Sequence, residues 1–393
     1  MLQTHSPTSR GWTVATFVAT FLLSLLLTGA AFGQLSTSDH LADPGFWPTQ
    51  DQGTRKNYVG PATCAKCHAS VAATQATTPM ARTFAIAKDA PNLHAHPELS
   101  FQSGAYLYQI HTGSHGPIYT VTDGKNTLSA PLGWAFGTPE VGQSYLFPKD
   151  DGKIYEARAT YFTSLKNLNF TPARALAHPK DLEEAMGRAV DSGELTHCFG
   201  CHTTAATIGG KFDPAGLIPG VSCEACHGPG AAHVAAMQAY QHGKAPLKMG
   251  TILNPARLTP ADSIDFCGAC HSTWWDLKLS GVHGPSTTRS PPYRLETSRC
   301  WRSKPDVRLT CMACHDPHVP LQTSAASYDR NCLSCHVTDA KAPKTASHPG
   351  AACPVAKQNC TTCHMPKVYV PEMHGYFTDH RIRIAQANAP FPE

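Results

Sequence analysis

The chain has 393 residues, long enough for two or three domains, and only 15% of them are charged. Its 30 glycines and 32 prolines favour short helices joined by many loops over long regular elements. Apart from residues 11–28, no apolar stretch approaches membrane-span length, and no GxGxxG, P-loop or HExxH pattern occurs. The sequence therefore gives no sign of a multi-span membrane protein, a nucleotide-binding protein or a hydrolase.

Residues 1–33 read as an export signal. Arg10 supplies the positive flank, residues 11–28 the apolar core, and Ala31-Phe32-Gly33 a small-x-small cleavage site. The competing reading is an uncleaved anchor; the threonines in the run and the cleavage pattern favour removal before Gln34, leaving no stable membrane span. Residues 34–57 look like an exposed linker. Cys-Ala-Lys-Cys-His follows at Cys64, and a helix is expected from about Ser70 to Lys88. Residues 98–165 read as a small antiparallel sheet. AYLYQIHT and PIYTVT alternate apolar with polar residues, DGKN closes the second strand, and Pro-Lys-Asp-Asp-Gly separates QSYLF from KIYEARATYF. PKDLEEAMGRAVDSG, residues 179–193, looks helical, as does GAAHVAAMQAYQHG further on.

Sixteen cysteines dominate the rest, and fourteen of them form seven Cys-x-x-Cys-His motifs: Cys64/Cys67, Cys198/Cys201, Cys223/Cys226, Cys267/Cys270, Cys311/Cys314, Cys332/Cys335 and Cys360/Cys363. This is a c-type haem attachment pattern. Two thiols separated by two residues reach the two vinyl groups as thioethers, and the next histidine becomes the proximal iron ligand. The proximal set is His68, His202, His227, His271, His315, His336 and His364. Zinc ribbons also use Cys-x-x-Cys pairs, but they do not require a histidine after each one. The expected cofactor is seven covalently bound haem c. The motif gaps of 25, 44, 44, 21 and 28 residues from Cys198 onward show no fixed structural period. Fourteen propionates would turn the formal charge to about −4 with every iron oxidised and about −11 reduced, which argues against a nucleic-acid partner.

Outside the motifs and His5, fourteen histidines remain, twice the number needed for bis-histidine ligation. His318 follows His315 too closely to wrap the same haem, and His233 follows His227 similarly. His197 precedes Cys198 directly, while His374 and His380 lie beyond the last motif. These five are the best distal candidates, with His283, His178 and His348 weaker. His94, His96, His111 and His115 lie in or near the haem-free stretch and read as bystanders. Cys300 and Cys353 are left over and could pair in an oxidising compartment.

YVGPATCAKCH, GVSCEACHGPGAAH, DFCGACHS, LTCMACHDPH, CTTCHMPK and HGYFTDHRI, with the β-segment SYLFPKDDGKIYEARATYF, resemble the cytochrome c-552/4 group, related to cytochrome c-554. The resemblance runs from about Asn57 to Ile384. It implies periplasmic electron transfer through closely stacked haems and supports His233, His318, His374 and His380 as axial ligands. Where cytochrome c-554 has a histidine, this chain has Met80, which becomes a candidate ligand of the haem at Cys64 or a close neighbour. Longer relatives often carry a C-terminal helical-repeat domain, and partner binding through such repeats is not expected here.

The expected fold is a mostly irregular and α multihaem cytochrome, with short helices and loops packed around stacked haems and a small antiparallel β insert. Its segments are the signal peptide (1–33), a linker with the first haem site (34–97), the β insert (98–170) and a six-haem domain (171–393). The leading function is electron transfer between redox partner proteins, such as a membrane quinol oxidase or another cytochrome, in the periplasm or another extracytoplasmic space. The alternatives are a terminal oxidoreductase acting on a small nitrogen or sulfur compound at one open haem, and a polymerising conduit.

Overall fold

The alternating apolar pattern after the first motif folds into two antiparallel sheets in the computed structural model, which describes residues 54–172, 178–248, 250–302, 309–336, 353, 355–384, 386 and 391–392. The expected signal peptide and His348 lie outside the described residues. Among the described residues, no helix is long and apolar enough to cross a membrane.

The strands are β1 (Phe84–Ile86), β2 (Glu98–Ser103), β3 (Tyr106–Gly113), β4 (Gly116–Thr122), β5 (Thr127–Pro131), β6 (Trp134–Phe136), β7 (Gly142–Pro148), β8 (Ile154–Ala157), β9 (Ala159–Phe162), β10 (Asn167–Phe170) and β11 (Gly187–Ala189). One sheet is the meander β2-β3-β4-β5. The other runs β1-β6-β7-β8-β11, with β9 pairing both β7 and β10. Strict alternation places Tyr108 and Ile110 of β3 and Tyr119 and Val121 of β4 in the core, where they join Leu93, Tyr145, Phe147 and Tyr161. The DGKN turn closes because the Asp123 carboxylate accepts the Lys125 and Asn126 N–H groups at 2.8 and 2.7 Å.

Two expected helices are shorter than their patterns suggested. The helix expected over 70–88 stops at Gln75, and β1 follows. The Thr77 and Thr78 hydroxyls donate to the carbonyls of Thr74 and Gln75 at 2.7 and 2.8 Å, and Pro79 cannot continue the turn. Residues 179–193 are also not one helix. Leu182–Met186 is helical, and Gly187 then enters β11. A Cβ at Gly187 would lie 2.2 Å from the Glu156 carbonyl oxygen of β8, so only glycine allows this pairing. The β-structure consequently reaches from residue 84 to 189, wider than the expected 98–165. The helix expected around residue 235 forms as Ala231–Gln241.

Beyond residue 190 the chain becomes short helices and turns with small two-stranded sheets, which pair Thr203–Thr204 with Ile218–Pro219, Thr207–Ile208 with Lys211–Phe212, and Lys367–Val370 with Gly375–Thr378. Asp191, Thr259 and Thr273 cap Ser192–His202, Pro260–His271 and Trp274–Ser280 by accepting N–H groups from Glu194, Asp262 and Asp276. Buried apolar residues thin out here to Leu195, Phe199, Ala206, Ile264, Leu277, Tyr293, Leu295 and Val370. Cys300 and Cys353 are not joined in a disulfide: Cys353 is exposed, while Cys300 sits half-buried in the helix Arg299–Arg302.

Candidate haem-binding sites

Each motif occupies about one helical turn, which puts its first cysteine and its histidine on one face. The N–H groups of His68, His315 and His336 donate to the carbonyls of Cys64, Cys311 and Cys332 at 2.9, 3.0 and 2.9 Å. The Cys198 and Cys267 motifs end the helices Ser192–His202 and Pro260–His271, while Cys223–His227 and Cys360–His364 are helices in themselves.

A histidine that binds iron through Nε2 needs its Nδ1 hydrogen on an acceptor. Nδ1 of His227 donates to the Leu253 carbonyl at 2.8 Å and that of His364 to the Arg383 carbonyl at 2.6 Å. Nδ1 of His202 meets Thr83, with the hydroxyl at 2.8 Å. Among the non-motif histidines, His380 donates to the Thr378 carbonyl at 3.0 Å, His233 meets the Thr251 hydroxyl at 3.2 Å, and His318 donates to the Asp316 carboxylate at 3.1 Å. Burial lowers the pKa of His202, His271 and His315 and takes His380 down to about 4, so these rings stay neutral, as a ligand must be.

Three of the non-motif rings face a motif ring. His68 and His233 have centroids 6.5 Å apart with planes 21° from parallel; for His227 and His318 the values are 6.1 Å and 14°, and for His315 and His380 they are 6.2 Å and 41°. Two imidazoles binding one metal from opposite sides, with bonds of about 2.0–2.1 Å each, would hold their centroids roughly 6.4 Å apart. Direct aromatic packing covers the same range, but here each pair joins a motif histidine to a non-motif one. In each pair the non-motif ring also has Nδ1 already engaged. The donor sets fit haem. Among the described residues, no three His, Cys, Asp or Glu side chains are placed to hold a bare metal ion, which weighs against the zinc alternative. Burial also raises the Cys198 and Cys226 thiols to about 11.

The motifs touch one another. The thiols lie beside one another in four pairs, Cys64 with Cys223, Cys201 with Cys270, Cys267 with Cys311, and Cys332 with Cys360; Cys201 Sγ also donates to the Ala269 carbonyl at 3.6 Å. Cys226 lies within electrostatic reach of Cys267 and Cys270, and Cys314 within reach of Cys332. The result is one connected series, 64–223–267–311–332–360, with the Cys198 motif joining at Cys270.

Six of the expected thioether positions, Cys67, Cys198, Cys226, Cys314, Cys335 and Cys363, stand outside those four thiol pairs. Cys67 and Cys363 are exposed, and the half-buried Cys335 lies 3.8 Å from the Ser334 hydroxyl. The N–H groups of Cys67 and Cys335 donate to the carbonyls of Cys64 and Cys332, both at 3.1 Å, so the turn itself sets where these second cysteines sit. Cys335 is within electrostatic reach of Cys314, and the assignment of Cys67, Cys335 and Cys363 as haem attachment points rests on the spacing of the motif. Each is the second cysteine of its turn, and a second thiol needs only to reach its vinyl group.

Three buried ionic devices, which sequence reading missed, hold this series. The Glu224 carboxylate, 1% exposed, accepts the N–H groups of Val59, Gly60 and Gly230 at 2.9, 2.8 and 2.7 Å, fixing the chain just before Cys64. Asp329 does the same for the Cys360 motif, accepting from Asn359 and Cys360 at 2.7 and 2.8 Å. Those two donors hold its carboxyl below the usual aspartate range. Arg294 and Asp379, both 0% exposed, form a two-bond pair at 2.8 and 2.9 Å, and Arg383 adds a third bond at 2.6 Å. Burial opposes ionisation of Asp379, but its hydrogen bonds from Arg294 and the Arg381 N–H outweigh it and keep the pKa low. His380 follows Asp379 directly, so the clamp fixes the ring that faces His315.

The remaining candidates are placed differently. Met80 is half-buried, and its carbonyl accepts the Val221 N–H at 3.1 Å, beside the Cys223 motif. His197 shares the helix Ser192–His202 with His202. His283 directly precedes the turn Gly284–Arg289. The His374 ring meets Phe162 edge-on at 4.7 Å, and its carbonyl accepts the Ser164 hydroxyl at 2.8 Å.

No curated protein matches the chain. Among solved structures, the crystal structure of the outer cell wall cytochrome OcwA aligns at 14% identity and a TM-score of 0.46, covering 83% of this chain and 80% of that one. The family described as cytochrome c554 and c-prime matches residues 159–228, a span that takes in β9, the Cys198 turn and the Cys223 turn. That match falls on two of the seven Cys-x-x-Cys-His turns, so over this span the chain is similar to the cytochrome c554 and c-prime family.

Proposed function

We propose that the protein is an exported seven-haem electron carrier that passes electrons between redox partner proteins. The observation that supports this most is the series of neighbouring motifs, joined by thiol pairs and, at Cys226 and Cys314, by electrostatic reach. Haems attached to adjoining turns are held in a row, and each haem supplies one reversible electron site when bound. The chain fixes position, ligation and polarity. His68 with His233, His227 with His318, and His315 with His380 are read as bis-histidine pairs. His202, His271, His336 and His364 are read as the proximal ligands of the other four sites, with His197, His283, His374 and Met80 as the available distal groups. The facing of His68 by His233 favours a distal role for Met80 away from the Cys64 haem. The N-terminal signal pattern supports an extracytoplasmic location.

A site with both axial positions taken has none for a substrate, so ligation separates a carrier from an enzyme. The test is a pyridine haemochrome count on the mature protein, with paramagnetic resonance and carbon monoxide titration of the reduced form. Seven low-spin haems without carbon monoxide binding are expected. Stoichiometric carbon monoxide binding at one haem, with steady turnover of nitrite or hydroxylamine, would sink the carrier reading.

A further inference from the structure

The ring-nitrogen partners described above are of two kinds. His202 and His233 have a threonine partner at Nδ1, while His227, His364 and His380 donate to backbone carbonyls; all these acceptors are neutral. His318 alone among these six donates to a carboxylate, Asp316 Oδ1, at 3.1 Å. The same oxygen accepts the His318 backbone N–H at 2.9 Å, so one atom holds both the main chain and the ring. The sequence builds this locally: in His315-Asp316-Pro317-His318 the proline restricts the turn, and the aspartate side chain reaches two residues ahead.

We propose that Asp316 is a positioning residue that makes the haem between His227 and His318 the lowest in potential of the three bis-histidine sites. The inference rests on the His227/His318 ligand pair. A carboxylate acceptor at Nδ1 pulls the ring toward imidazolate and strengthens its donation through Nε2. A stronger donor favours the oxidised iron over the reduced iron, as outer-shell partners do at metal sites. No bond is made or broken, and the electron comes from a neighbouring site. The position matters because the Cys223 motif stands between the Cys64 and Cys267 motifs in the contact series. A low-potential haem there is a step that electrons must climb between the first haem and the rest, so the Cys223 haem fills last of the three on reduction.

Asp316 is 59% exposed, and its charge could also act through water. Salt screens an exposed charge but leaves a hydrogen bond in place, so ionic strength separates the two routes. The experiment is spectroelectrochemical titration of the holoprotein at low and high salt, with paramagnetic resonance to count low-spin haems. The variants are Asp316→Asn, Asp316→Glu and His318→Ala. Asp316→Asn should raise the potential of one low-spin haem and leave the others and the haem count unchanged, at both salt concentrations. Asp316→Glu should return that haem toward its original potential. Unchanged potentials in Asp316→Asn with intact low-spin signals overturn the proposal, as does a shift that high salt abolishes. If His318→Ala creates no high-spin haem, the ligand pair itself is wrong and the proposal falls with it.

Discussion

Residues 84–189 and residues 190–384 solve the burial problem in opposite ways. The first region buries Tyr108, Ile110, Tyr119, Val121, Tyr145 and Phe147 against one another in a side-chain core. In the second, the two ends of the fully buried Arg294–Asp379 pair, Glu224 and a run of threonines and serines occupy positions that a conventional core would fill with leucine or phenylalanine. Paired and hydrogen-bonded charges can be buried, but they contribute little net stability compared with apolar packing. A region held in that way needs apolar mass from elsewhere, and in our reading the haems supply it. The β-structure then has its own core and meets the motif region at an apolar seam, where Leu195 and Phe199 pack with Phe84, Phe136 and Leu146, while the rest of the motif region is built on its cofactors.

The largest test of this contrast is a chain made without haem attachment. Amide hydrogen exchange should show residues 84–189 still protected and the motif region open. Equal protection of both regions would remove the distinction. Next comes Arg294→Met, which leaves a buried Asp379 without its main partner and should cost about 3–5 kcal/mol. It should also free His380 and turn one haem high-spin, visible by paramagnetic resonance. Low-spin spectra with the full loss of stability would mean that the clamp does not place His380. Ile110→Ala in the sheet core should cost about 2–5 kcal/mol by denaturant melts. Every haem signal should stay in place; a shifted haem potential would show that the two regions are coupled. The smallest effect concerns pH. Burial, with Asp265 nearby, raises Glu296 from 4.5 to about 7, and its Oε2 has no hydrogen-bond partner. The native state therefore holds this proton longer than the unfolded chain, so stability should fall as pH rises from 4.5 to about 7. Glu296→Gln should flatten that slope in melts at pH 5 and 8, and an unchanged slope would assign it to other groups.

The sequence carried the parts of this molecule that depend on near neighbours. The turns of the Cys-x-x-Cys-His motifs are local, and β3 and β4 follow from alternation of period two. The helix readings over 70–88 and 179–193 failed where one residue overrides a pattern: Pro79 behind two back-bonding threonines, and Gly187 admitted against the Glu156 carbonyl. The histidine surplus pointed to bis-histidine ligation, but which ring faces which is a tertiary fact. His68 meets His233 from 165 positions away, and no local signal encodes that pairing. Glu224 was hidden in plain view between two cysteines. A charged residue inside a motif looks like a solvated filler until its three backbone donors are known.

The distance Glu224 spans along the chain constrains the order of folding. Its bonds to Val59 and Gly60 join residues 165 and 164 positions apart. Closing a flexible loop that long costs about 4.5 kcal/mol in chain entropy, while two hydrogen bonds to a carboxylate return about 3–6 kcal/mol. The latch barely closes against a fully flexible chain. If residues 84–189 have already collapsed into their sheets, most of the intervening length no longer counts as loop, and closure becomes favourable. We therefore expect the sheets to form first and to act as a folded spacer for the first attachment turn. Pulse-labelled hydrogen exchange during refolding should find the β3 and β4 amides protected before those of Val59 and Gly60, and the reverse order would show that the latch leads.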